Sequence, residues 1–276
     1  EQSHMDFMAT LWIILAGVLA ASACALLGSF LVLKRMSLLG DAISHAVLPG
    51  IALAFLLTSS RNMVPMLAGA TAFGLLTVVL SETLHQKWRV QEDAAIGIIY
   101  TALFSLGVLL VTLYAGQIDL DQDCVLYGEI AYTPLDILIV HGHNLGPRPV
   151  WLLGLVFLFD LVFVLLFYKE LKITAFDAGL AASLGFNVSL IRYSLMGVVA
   201  FTTVAAFESV GAILVVAMLI VPAAAAYLWT DRLAHMLTLS VLLGAASSVL
   251  GYGLAATLDG SIAGAMAVAG GAIFLF

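Results

Sequence analysis

Long uninterrupted apolar runs constrain this chain more than any other feature of its sequence. An α-helix of about 20 apolar residues crosses a bilayer and satisfies its own backbone hydrogen bonds in lipid. The runs are too long for strands and lack the alternation of a membrane barrel. They cover residues 8–33, 38–58, 65–84, 94–114, 150–168, 191–207, 209–229 and 233–257, with a shorter run after residue 261. The sequence therefore predicts an all-α, polytopic membrane helical bundle of about eight to nine transmembrane helices, or one fewer if 191–229 is one broken helix.

The composition excludes most classes of soluble protein. Hydrophobic residues make up 63% of the chain and charged residues 10%, whereas a soluble domain carries roughly 25% charged residues. Only ten residues are Lys or Arg and the net charge is −7, so we expect lipid around the chain and no nucleic-acid partner. The motifs HExxH, GxSxG and GxxxxGK[ST] are absent. We therefore expect no enzyme activity, and any ATP that drives the protein must be hydrolysed by a partner subunit.

The basic residues predict an orientation. They concentrate at 34–35, 87–89, 169–192 and 231–232, segments that share the cytoplasmic side if the N-terminus lies outside.

No internal repeat or separate soluble domain is evident, so 6–276 is interpreted as one transmembrane domain. Residues 1–5 are interpreted as a tag remnant. The last apolar run stops at Phe276, and we expect the natural protein to continue beyond it.

Asp41 and His45 are the first candidate site. They are spaced i, i+4 within an apolar run, so they share one face of a helix. Ionisable groups are costly in lipid and are functional-site candidates by default, and a carboxylate beside an imidazole suits a divalent transition metal. The alternative is that Asp41 caps a helix after Gly40 and His45 is a hydrogen-bonded structural residue. Two ligands are too few for a tight site, which favours completion by other helices or a second subunit.

The depth of this pair is a further expectation. At 1.5 Å per residue, Asp41 lies about 10 Å above Lys34 and Arg35. Either residues 34–40 lie inside the membrane region and are shielded by protein, or the site lies in the cytoplasmic half of the pathway. The small residues Ala42, Ala46, Gly50 and Ala54 line an adjacent stripe, and such stripes let a neighbouring helix approach closely.

The polar segment 169–190 contains a second candidate site. Asp177 is a good N-cap and Gly185 is typical of a position just past a helix C-terminus. Leu180 and Leu184 are one turn apart on the short helix that these residues predict. Such a helix either lies on the membrane surface or docks into a partner protein. Because it lacks large aromatic and basic faces, partner docking is favoured.

Weaker candidates lie near the predicted outer side. Glu208 falls between two apolar runs and could form an outer gate or an entry ligand, but a solvated turn residue is the favoured interpretation. His141 and His143 form an HxH pattern in a segment interpreted as a loop, and could receive metal or be ordinary surface residues. Asp119, Asp121 and Asp123 lack the glycine and glutamate of a calcium loop and are interpreted as a solvated acidic face.

Four motifs together resemble one known family. They are VLKRMSLLGDAISHAVLPGIALAF at 32–55, EDAAIGIIYTALFSLGVLLV at 92–111, KELKITAFDAGLAASLGF at 169–186 and VGAILVVAMLIVPAAAA at 210–226. The chain resembles the transmembrane permease subunits of bacterial manganese, zinc and iron ABC importers over nearly its whole length. The segment after Asp259 follows the family pattern more loosely.

The resemblance implies a type II ABC importer-like fold in the bacterial cytoplasmic membrane. It implies a pair of permease subunits, identical or different, two cytoplasmic ATPases and an extracytoplasmic metal-binding protein. Asp41 and His45 match the family's metal-coordinating residues, and 178–185 matches its ATPase coupling helix. The metal is cargo, with no permanently bound cofactor, and ATP binds only the partner subunit.

Two other functions stay open at this point. A secondary transporter driven by an ion gradient could use Asp41 and His45 as coupled metal and proton sites, although such folds commonly show inverted repeats. An intramembrane metalloenzyme would need a third ligand and a general base, which no motif supplies.

Overall fold

The protein is almost entirely helical in the residues that its computed structural model describes, which are 2–58, 63–114, 129–140 and 143–275. A 3-10 helix at Ile130–Leu135 and two strands, β1 (Ile137–Val140) and β2 (His143–Pro147), complete these ranges. The helices are α1 (Gln2–Leu33), α2 (Leu38–Ala46), α3 (Leu48–Thr58), α4 (Met63–Trp88), α5 (Glu92–Tyr114), α6 (Arg148–Leu166), α7 (Tyr168–Phe176), α8 (Ala178–Ser183), α9 (Val188–Val210), α10 (Ala212–Trp229), α11 (Leu233–Leu258) and α12 (Ile262–Leu275).

The predicted transmembrane architecture is confirmed. Within the described residues, eight helical segments are long and apolar enough to cross a membrane, counting α2 and α3 as one. The shorter α12 corresponds to the incomplete ninth run. The boundary between α9 and α10 falls at Gly211, whose φ is 86°, rather than at residues 208–209. Glycine without a Cβ adopts this conformation readily, so α9 continues through Glu208 and the two runs form separate helices.

One compact unit of the chain comprises Glu1–Val32, Tyr127–Tyr168 and Ala205–Phe276. Its helices approach each other at small residues. A Cβ added to Gly28 of α1 would lie 1.8 Å from the carbonyl oxygen of Leu219 in α10. A Cβ on Gly251 of α11 would lie 2.2 Å from Cα of Met266 in α12. These contacts are backbone to backbone, as is common between membrane helices.

The second compact unit comprises Leu33–Leu126 and Lys169–Val204. Within it, α3 packs closely against two neighbours. A Cβ on Gly50 of α3 would lie 2.2 Å from the carbonyl oxygen of Gly69 in α4, and a Cβ on Gly107 of α5 would lie 2.7 Å from Cδ of Pro49. The predicted close approach of a helix to the small-residue stripe is therefore present, and α4 is the helix that makes it.

The segment before α6 contains strands that the sequence analysis did not predict. β1 pairs antiparallel with β2, with Ile139 opposite Asn144 and Val140 opposite His143. The interpretation of 141–149 as loop is wrong for 143–147, which form β2, and for the start of α6. Strands of four and five residues are too short for a clear period, and the β-branched residues of Ile137–Val140 are the signal that could have indicated them.

Candidate metal site on helix α2

The candidate pair lies on a short helix that ends within a membrane-spanning segment. Asp41 is in the first turn of α2 and His45 in its last. The helix is interrupted at Val47, and α3 begins at Leu48. Pro49 has no N–H to donate to the carbonyl of His45 four residues earlier, and its ring disfavours a regular helix there. Val47 nevertheless keeps helical dihedral angles, and its N–H bonds to the carbonyl of Ile43, so α2 and α3 form one helical span with a local irregularity at Val47.

The two side chains lie at a separation that suits joint coordination of one ion. Nε2 of His45 is 3.6 Å from Oδ1 of Asp41, beyond hydrogen-bonding distance. Two metal–ligand bonds of about 2.1 Å at an angle of about 115° span roughly 3.5 Å. The pair could thus hold a divalent cation with little rearrangement.

One stripe of α2 is open, although the rest of the helix is buried. The side chains of His45 and Asp41 are 47% and 45% exposed, and Leu38 is also exposed. The residues between them are buried, namely Leu39, Gly40, Ala42, Ile43, Ser44 and Ala46. Within the described part of the chain, no third His, Cys, Asp or Glu joins the pair to form a group that could hold a metal.

Two aromatic rings of α5 flank the imidazole of His45. The ring centroid of Tyr100 lies 6.0 Å from that of His45, and the ring of Phe104 lies 5.6 Å away in an edge-on arrangement at 76°. Such ring pairs have preferred geometries and restrict each other's orientation. Sequence analysis missed both residues, and their i, i+4 spacing in the run 94–114 is the signal that could have indicated a shared face.

An ionic cluster lies in the same compact unit. Nε of Arg192 in α9 is 3.0 Å from Oε2 of Glu82 in α4, and its Nη2 pairs with Oε1 of Glu92 in α5. Glu82 is 2% exposed. Nη2 of Arg192 also lies 3.9 Å from Sδ of Met36, in the turn before α2. We call Arg192, Glu82 and Glu92 the Arg192 cluster, which connects α9 to the consecutive helices α4 and α5.

Lys34 lies beside this cluster. Burial lowers the pKa of Lys34 to about 8, and repulsion by Arg192 acts in the same direction. Glu82 and Glu92 partly offset both effects. Lys34 is therefore a partly buried cation just before α2, whereas Arg35 and Leu38 of the same segment are exposed.

The short helix predicted in 169–190 is present as α8. The side chain of Asp177 accepts a hydrogen bond of 2.8 Å from the backbone N–H of Leu180, which confirms the N-cap. Gly185 has a φ of 87°, and the N–H of Phe186 reaches back to the carbonyl of Ala181, as in a glycine-terminated helix. The helix ends at Ser183, and Leu180 and Leu184 are 51% and 59% exposed.

The weaker candidates are less informative. Glu208 is exposed in the last turn of α9, so it is a helical residue and not part of a turn. His143 begins β2, and His141 lies outside the described residues, as do the three acidic residues at 119–123. A carboxylate that sequence analysis overlooked, Asp160, is fully buried in α6, and its place in an apolar run is the signal that was missed.

Comparisons with known proteins agree with this architecture. The ABC 3 transport family matches residues 5–276. The manganese transport system membrane protein MntD of Bacillus subtilis is 50% identical over 263 residues, which cover 95% of this chain and 89% of MntD. The zinc transport system membrane protein TroD of Treponema pallidum is 47% identical over 265 residues, covering 96% of this chain and 72% of TroD.

Two solved structures are also similar to this chain. PsaBC from Streptococcus pneumoniae, in complex with Fab, matches with a TM-score of 0.76 and 32% identity, covering 95% of this chain and 88% of that chain. An inward-facing putative metal-chelate type ABC transporter has a TM-score of 0.67 at 20% identity, covering 96% and 83%, and shares the fold. The chain therefore belongs to the ABC 3 transport family and is a metal ABC transporter permease.

Proposed function

We propose that this chain is the membrane-spanning subunit of an ATP-driven importer of divalent transition metal ions, and that Asp41 and His45 bind the ion in transit. The observation that carries the proposal is the half-exposed pair 3.6 Å apart on α2. Ionisable groups in a membrane-spanning helix are costly and are therefore functional-site candidates by default. The names of the manganese and zinc transport proteins MntD and TroD support metal as the cargo.

The chemistry of the pair fits manganese, zinc and iron alike. A carboxylate is a hard ligand and an imidazole is borderline, and affinity for such sites rises from manganese to zinc. The pair by itself would not exclude zinc, so selection between these metals is assigned to the protein that delivers the ion. Binding by few ligands also lets the ion leave, which a transport site requires.

The proposed partners account for the exposed features of the second unit. A second permease subunit, a copy or a relative, would cover the stripe of Leu38, Asp41 and His45 and supply further ligands. Two cytoplasmic ATPases would dock on α8, whose exposed Leu180 and Leu184 offer an apolar contact. An extracytoplasmic binding protein would deliver the ion at the opposite side of the membrane. In this proposal the chain lies in the cytoplasmic membrane with its N-terminus outside.

Transport would then proceed by alternating access. Asp41 contributes a negative charge that offsets part of the charge of the ion, and His45 contributes a neutral imidazole nitrogen. Closure of the ATPase pair displaces α8 and opens the site toward the cytoplasm. Release of the products of ATP hydrolysis lets the ATPase pair reopen, and the permease returns to its starting conformation.

Uptake of radioactive manganese and zinc into proteoliposomes that contain the permease with its own ATPase and binding protein tests this function. We expect Asp41→Ala and His45→Ala each to reduce uptake at least about tenfold, a loss of roughly 1.4 kcal/mol or more at the site, while the complex still assembles. Asp93→Asn, which removes an exposed carboxylate at the start of α5, is the matched control and retains uptake. Normal uptake by either site variant would refute the metal site, and uptake that needs an ion gradient and no ATP would favour a secondary transporter.

A further inference from the structure

Helix α5 contacts both Arg192 and the candidate metal ligand His45. Glu92, in its first turn, pairs with Arg192, whereas Tyr100 and Phe104 contact the ring of His45. Tyr100 and Phe104 are one turn apart and share a face of the helix, whereas Glu92 lies two turns before Tyr100 and is rotated from it by about 80° at 3.6 residues per turn. Ile96, between them, is buried. Along α5, Glu92 and Tyr100 are about 12 Å apart at 1.5 Å per residue.

The other side of the ion pair is connected to α8 by a short, hydrogen-bonded segment. Arg192 is in the second turn of α9, nine residues after the end of α8. The N–H of Phe186 donates to the carbonyl of Ala181 in α8. Asn187 caps α9 by accepting a hydrogen bond of 3.0 Å from the N–H of Leu190. Because these hydrogen bonds order the short segment between α8 and α9, we expect a displacement of α8 to move Arg192 as well.

We infer that α5 transmits movement of α8 to the metal site, with the Arg192–Glu92 ion pair as the input contact and Tyr100 and Phe104 against His45 as the output contact. This inference rests on the proposed function. Arg192, Glu92, Tyr100 and Phe104 are positioning residues, because none of them is required to touch the ion.

The physical basis lies in the two kinds of contact. Removing one member of a partly buried ion pair leaves an uncompensated charge, and Glu82 holds Arg192 from a second side at 3.0 Å. Arg192 therefore connects the start of α9 to the start of α5 through Glu92 and to the end of α4 through Glu82. At the other end, the two rings orient the imidazole of His45. Metal–ligand distances tolerate only about 0.2 Å, so a shift of α5 by about 1 Å separates Nε2 from an ion held by Asp41 and weakens binding.

The test compares metal binding with coupling in the complete transporter. Binding of Mn²⁺ to the detergent-purified complex is followed by the paramagnetic resonance signal of free Mn²⁺, and coupling by the ratio of Mn²⁺ imported to ATP hydrolysed in proteoliposomes. We expect Arg192→Gln and Glu92→Gln to bind Mn²⁺ as the wild type does, but to lower the import ratio at least about fivefold, the lower end of usual coupling between sites. Arg192→Lys, which keeps a positive charge between Glu82 and Glu92, retains more of the ratio than Arg192→Gln. Arg232→Gln, which changes an exposed arginine before α11, is the matched control.

A second pair of variants tests the output contact and involves no charge. Tyr100→Leu lowers the import ratio, whereas Tyr100→Phe preserves the ring and the ratio. If Arg192→Gln does not assemble, this pair decides the outcome. A wild-type ratio in Tyr100→Leu, or in both single variants of the ion pair, overturns the inference. Failure of the metal site is distinguishable, because His45→Ala would then bind Mn²⁺ normally.

Discussion

Replacement of Gly69 by alanine tests the packing that positions α3. A Cβ at this position would lie 2.4 Å from the carbonyl oxygen of Gly50 and 2.9 Å from Cβ of Ala54, whereas ordinary contacts begin at 3.4 Å. Both neighbours belong to α3, and the first is backbone that cannot rotate away. The helices α3 and α4 must therefore separate by roughly 1 Å, since close-packed interiors hold no spare volume at such a contact.

The expected loss of stability follows from two opposing effects. Overpacking costs about 1–3 kcal/mol, and alanine regains about 0.5–1 kcal/mol of helix stability relative to glycine. The net destabilisation is about 0.5–2 kcal/mol, which corresponds to a decrease in Tm of roughly 1–4 °C for a chain of this size. Metal uptake also decreases, because α3 carries Pro49, which packs on Gly107 of α5.

The matched control is Gly97→Ala in α5, where an added Cβ meets nothing within 4 Å. This variant gains only the helix preference of alanine, so its Tm stays the same or rises. Both variants are purified in one detergent, and thermal unfolding is followed by circular dichroism beside uptake in proteoliposomes. A Tm for Gly69→Ala equal to or above that of Gly97→Ala would refute the close backbone contact between α3 and α4.

Three further predictions concern Lys34 and helix α8 of the second unit. Because the pKa of Lys34 is lowered from 10.5 to about 8, the folded chain releases this proton first, and stability rises with pH between those values. Lys34→Met should remove that rise in Tm measured from pH 7 to 10, and an unchanged pH profile would contradict the burial of Lys34. Asp177→Ala removes the N-cap of α8 at a local cost of about 1 kcal/mol and should weaken co-purification of the ATPase, with Asp177→Asn retaining it. Leu184→Glu places a charge on the exposed apolar contact and should abolish that co-purification, whereas unaltered ATPase binding would show that docking occurs elsewhere.

The sequence was sufficient for the features that depend on local patterns. Apolar runs determine spans because lipid leaves the backbone few alternatives, and the i, i+4 spacing of Asp41 and His45 determines their common face. The cap at Asp177 and the turn at Gly185 follow equally from local rules. In each case the partners lie within four or five residues of one another.

Features that depend on distant partners could not be predicted. Arg192 pairs with Glu92, 100 residues earlier in the chain, and no local pattern selects that partner from the other carboxylates. The contact of Tyr100 with His45 likewise depends on how α5 packs beside α2. The strand pair near residue 140 was missed because its strands are very short, and the boundary at Gly211 because glycine is frequent in membrane helices.

The open stripe of α2 also bears on how the transporter is assembled in the cell. In a lone chain, a carboxylate and an imidazole, each nearly half exposed, would have no second subunit beside them. A carboxylate costs about 2.5–3.5 kcal/mol at the centre of a membrane helix on insertion scales, and less at a position such as Asp41 near the end of the span Leu38–Thr58. Association with a second subunit would remove part of that cost. The residues proposed to bind the metal would therefore also favour association of the two subunits. An apolar replacement such as Asp41→Leu would accordingly stabilise the solitary chain in lipid. The same replacement would remove a proposed metal ligand from the assembled transporter.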